Sequence, residues 1–153
     1  MIETLNDAYT EIKRADHIVY VSLKYTRTAD VIRNVVERLI DANSLMIGSL
    51  IKKLISDSKI VDSDYSLSEK VKLLRDNFPE DKLILDMIEF NNYLRKLSRA
   101  EFTGENEYRR HVMMKAIVDG VLQQIDIEKI TEYYDKVKAY FFHIRTMILP
   151  EEN

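Results

Sequence analysis

The chain predicts an all-α fold, an antiparallel helical bundle of five to six helices with one long central helix, about residues 28–56. Three observations point there. The 153 residues include only 3 glycines and 2 prolines, the residues that break helices and build tight turns. Between Thr28 and Ser56 the apolar residues come as adjacent pairs: Val31/Ile32, Val35/Val36, Leu39/Ile40, Leu45/Met46, Leu50/Ile51 and Leu54/Ile55. Spaced by about one helical turn, they mark a wide face on a helix rather than a strand's alternation. Hydrophobic residues at 46% and charged residues at 32% suit a globular chain, not a disordered one. The length fits one domain, residues 1–153, with a full core.

The first helix runs from residue 5 to about 25. Leu5, Ala8, Tyr9, Ile12, Ala15, Val19 and Leu23 fall at three- and four-residue steps, with Lys13, Arg14, Asp16 and Lys24 off that face. The join at 26–28 has no glycine or proline, so residues 5–55 read either as one bent helix or as two. A break is favoured, because Thr26 or Thr28 can cap a new helix. The central helix would be roughly 40 Å long. A face that broad needs covering from several sides, which argues for a second copy of the chain.

After Ile55 the sequence SDSKIVDSDYS reads as the clearest loop, and 57–66 is where a subdivision of the domain would fall. Ser66-x-x-Glu69 reads as a capping box opening a short helix to about Asn77. Pro79 suits the first position of the next helix, about 80–99, with Leu83, Ile84, Met87, Ile88, Phe90, Leu94 and Leu97 as its apolar residues. Residues 100–105 interrupt the pattern. A fifth helix is predicted over about 105–122, with Tyr108, Val112, Met113, Ala116, Ile117 and Val121 on its apolar side and Gly120 as a soft spot. Asp126 then caps a last helix, about 127–148, closed by Pro150. Tyr9, Tyr108 and Tyr140 fall at core positions by spacing.

The absence of cysteine excludes disulfides, cysteine nucleophiles and thiolate metal sites. A net charge of −3 gives no global attraction to nucleic acid or anionic membrane. Lys52, Lys53 and Glu37 interrupt the greasiest region, so no run spans a bilayer, and the acidic start MIETLNDAY is no secretory signal. A cytoplasmic protein without membrane association is the expectation.

Positive charge concentrates around the second interruption: Arg95, Lys96, Arg99, Arg109, Arg110, His111 and Lys115. Two antiparallel helices joined there would bring these residues together, and arginine's planar fork suits phosphate oxygens. An RNA- or nucleotide-phosphate site at Arg95, Lys96, Arg99, Arg109, Arg110 and Lys115 is therefore the candidate. Against it, Glu101, Glu105 and Glu107 lie among the same charges and would neutralise them on a solvated face.

Metal and nucleophile chemistry find no foothold. Glu107 and His111 are four apart, but no Glu-x-x-His or His-Glu-x-x-His occurs, and His17 and His143 are solitary. The aspartates at 57, 62 and 64 lack the glycine and closing glutamate of a calcium loop. No cofactor or metal is expected.

The helix order, with RAEFTGENEYRRHVMMKAI followed by KITEYYDKVKAYFFHI, resembles the HEPN superfamily of helical nucleotide- and RNA-binding domains. Nuclease members of that superfamily carry an arginine, four to six residues, then a histidine. Here the nearest approach is Lys138 followed by His143, and lysine lacks the bidentate fork. The resemblance implies a non-catalytic or diverged member that dimerises through helical faces. The expected function is a non-catalytic binding or interaction protein, a homodimer whose further partner is RNA, a nucleotide or a protein. An RNA- or nucleotide-binding module is the alternative, and a diverged ribonuclease using His111 or His143 is a third reading.

Overall fold

The computed structural model describes residues 1–149. Five helices carry the fold, together with a small antiparallel sheet that the periodicity did not anticipate. Helix α1 covers 2–25, beginning as regular α-helix over Ile2–His17, loosening to a π-helical turn over Ile18–Ser22 and closing over Leu23–Tyr25. Its buried residues Leu5, Ala8, Ile12, Ala15, Val19 and Leu23 follow the predicted stripe. Tyr9 is the exception, 42% exposed beside it.

The chain breaks at 26–28, giving two helices. Thr26 turns extended, and the Thr28 hydroxyl accepts the Val31 N–H at 3.2 Å to cap α2, Ala29–Ser56. The paired apolar residues do what their spacing predicts, with Ile32, Val35, Val36, Leu39, Met46 and Leu50 fully buried. Helices α1, α4 and α5 of the same chain cover that face. It therefore supplies no reason of its own for a second copy.

Helix α3, Leu67–Asn77, opens with the capping box read from the sequence: Ser66 Oγ accepts the Glu69 N–H and Glu69 accepts the Ser66 N–H. Helix α4, Lys82–Arg99, starts later than the proline suggests. Pro79 and Glu80 form a turn, and Asp81 is the cap, its carboxylate accepting the Ile84 N–H at 3.1 Å. His143 on the last helix meets the other oxygen of Asp81 at 2.7 Å.

The predicted fifth helix is replaced by strands β1 (Phe102–Glu105), β2 (Met113–Val118) and β3 (Val121–Asp126), in that order. Thr103 pairs with Lys115, and Lys115 with Gln124. Burial in β2 alternates with period two: Met114, Ala116 and Val118 face the core, while Ile117 is 63% exposed. Tyr108 and Val121, assigned to an apolar helix face, are exposed, and Gly120 sits in a turn. Asp119 and Gly120 form the two-residue connection with φ of 52° and 79°, the left-handed pair that a tight β-hairpin requires. Asp126 ends β3 and caps α5, Ile127–Ile148, by accepting the Lys129 N–H at 2.7 Å. One continuous core joins all five helices to the inner face of the sheet.

Candidate anion-binding cleft

A cavity of about 650 Å³ lies between α3 and α4. Helix α3 contributes Leu67, Ser68, Val71 and Arg75; helix α4 contributes Ile88, Glu89, Asn91, Asn92 and Arg95. On each helix these residues recur at three- and four-residue steps, so each set shares one face. The capping box fixes where α3 begins and Asp81 fixes where α4 begins.

Asn91 forms part of the cleft wall although only 3% of its surface is exposed, and behind it lies the fully buried Asn43 of α2. Asn43 Nδ2 donates to Asn91 Oδ1 at 3.3 Å. This bond turns the Asn91 oxygen toward the core and leaves its amide N–H groups as donors for the cleft. Asn43 Oδ1 has no partner of its own.

Arg75 and Arg95 supply the charge. Neither joins an ion pair among the described residues, although Glu89 lines the same cleft. Three arginines of α1 and α2 are paired instead: Arg14 and Arg38 both meet Glu11, and Arg33 meets Glu37 at 3.2 Å. Two unpaired guanidiniums, an amide donor and a serine hydroxyl around apolar side chains give a cleft that can accept an anionic group and cover an apolar one.

The six basic residues singled out in the sequence do not converge. Arg95 lines the cleft, and Arg99 is exposed at the end of α4. Lys96 is paired with Asp119 at 2.9 Å, and Lys115 with Glu105 across the β1–β2 ladder. Arg109 and Arg110 are exposed on the 106–112 connection, which β1 carries away from α4 by about 10 Å. That connection is pinned to the α1–α2 joint instead. The Glu107 carboxylate accepts the Ala29 N–H at 3.1 Å, and the Tyr108 N–H donates to the Arg27 carbonyl at 2.6 Å. Because this segment is not helical, Glu107 and His111 do not share a face. Among the described residues no group of three acids or imidazoles is placed to hold a metal.

Arg75 and Asn91 were missed by the charge pattern. Asn91 had a signal: it interrupts the apolar stripe Met87, Ile88, Leu94 at a core position, as Asn43 does between Leu39 and Met46. Arg75 had none, since only the packing of α3 on α4 makes it a neighbour of Arg95. No protein-family model matches the chain, and no curated protein or solved structure does either.

Proposed function

We propose that the protein acts by binding rather than by catalysis, and that the α3–α4 cleft takes a phosphate-bearing ligand of mononucleotide size. The observation that carries this reading is the pair of unpaired guanidiniums, Arg75 and Arg95, facing one cleft floored by the buried amide of Asn91. Phosphate oxygens suit both groups, and Leu67, Val71 and Ile88 offer an apolar wall for a base. All of these residues come from one chain, so a monomer suffices for the site. An extended RNA is less well served, because two of the six basic residues are neutralised and Arg109 and Arg110 stand apart. A ribonuclease reading has less support still, since His143 is engaged with the Asp81 cap and His111 stands on an exposed connection.

Calorimetric titration with adenosine monophosphate at low salt tests the proposal. Binding is expected to weaken by about tenfold or more in R75A/R95A, the loss of two charge-assisted contacts, and to be unchanged in R109A/R110A. Failure to bind at low salt, or loss in R109A/R110A alone, would overturn it.

A further inference from the structure

A second groove lies between α1 and α5, with a volume of about 510 Å³. Its walls are aromatic. Tyr9 and Phe141 stack at 5.2 Å between ring centroids, and Phe142 stands against Phe141 at 5.6 Å. Tyr9 and Phe142 are 42% and 44% exposed, large apolar side chains facing solvent beside a groove they both line. The π-helical turn of α1 begins one residue beyond His17 in the lining and brings Val21 to the end of the groove. Such turns concentrate at functional sites.

The charges on the rim have a definite sense. The Lys13 ammonium lies 4.6 Å from the Tyr9 ring centre and that of Lys138 5.8 Å from the Tyr134 ring centre. Neither lysine pairs with a carboxylate among the described residues. The acid in the lining, Asp16, is already engaged, because the buried Tyr134 hydroxyl donates to its Oδ2 at 2.6 Å. Two ammonium groups and one carboxylate thus rim the aromatic trough, and the ammonium groups are in excess.

We propose that this groove binds a small aromatic carboxylate, its ring among Tyr9, Phe141 and Phe142 and its carboxylate between Lys13 and Lys138. Aromatic faces and edges favour a planar ring over an alkyl chain, and the ammonium pair selects an anion over its neutral isostere. The site is independent of the α3–α4 cleft and shares no residue with it.

The test is titration of the protein with 1-naphthylacetate, and with the uncharged 1-naphthylacetamide, followed by calorimetry. Lys13 and Lys138 are both exposed, so K13A/K138A leaves the core intact, and circular dichroism confirms that it folds. The acid is expected to bind with a dissociation constant below about 1 mM, and about tenfold more weakly in K13A/K138A, with the amide equally weak on the wild type. F142A should weaken both compounds together, and R75A/R95A should change neither. No binding of the acid, equal affinity for acid and amide, or full affinity in K13A/K138A would overturn the proposal.

Discussion

Asn43 and Asn91 show how much a single buried amide can demand. Their bond spans α2 and α4 in the interior, and removing one partner strands the other. Asn91→Ala is expected to destabilise by about 1–3 kcal/mol, the cost of an unsatisfied buried donor, whereas N43L/N91L should cost less than the two single changes added together. Urea denaturation of the wild type, N91A, N43L, N91L and N43L/N91L checks this, and additive effects in the leucine cycle would show the two side chains to be energetically independent. The tyrosines give a second residue-level expectation. Burial first, then the hydrogen bond to Asp16, pushes the Tyr134 hydroxyl above its ordinary range; burial and Asp86 do the same for Tyr140. Tyr133 is raised by burial and by Tyr93, its hydrogen-bonded neighbour. A raised folded value means that the unfolded chain gives up its protons first. Stability is therefore complete below about pH 10 and falls above it, by about 1.4 kcal/mol per pH unit for each fully buried tyrosine. Melting temperature followed from neutral to strongly alkaline pH should be flat and then drop, the drop shrinking in Y134F.

Among the elements, the hairpin is where spacing misled. VMMKAIVDGVLQQID contains apolar residues at helical steps, and also at the alternate positions 112, 114, 116 and 118 that lead into Asp119-Gly120. The second pattern wins, because an Asp-Gly pair is a strong two-residue turn signal, and three glycines in the whole chain made it easy to count this one as a helix defect. A Cβ at Gly120 would touch nothing within 4 Å, so its value is conformational alone. Gly120→Ala should cost about 1 kcal/mol through its positive φ, and Gly120→Asn less, because asparagine tolerates that region. Thermal melts of the two variants decide it. Capping was more legible than strand: Thr28, Ser66 and Asp126 act where their residue types placed them. Glu107 could not be read as a cap at all. It reaches the start of α2 from 78 residues away in sequence, and a negative charge there also meets the helix's positive end. Glu107→Ala should lower stability by about 1 kcal/mol and speed amide exchange across 106–112.

At the scale of the molecule, one long helix organises the rest, as its paired apolar residues foretold, and its own chain supplies the cover. The proposed cleft was legible only by half. Arg95 belonged to a visible run of charge, but the run follows the sequence while the cleft follows packing, and Arg75 enters it from a helix beyond the 57–66 loop. Lys96 and Lys115 meet Asp119 and Glu105, partners that no spacing rule registers. An amide chemical-shift map of the isotope-labelled protein titrated with adenosine monophosphate at low salt separates the alternatives most directly. Shifts confined to residues 67–75 and 88–95, and lost in R75A/R95A, are expected. Shifts centred on 99 and 106–112, with the α3 and α4 walls unmoved, would contradict a cleft built on Arg75 and Arg95.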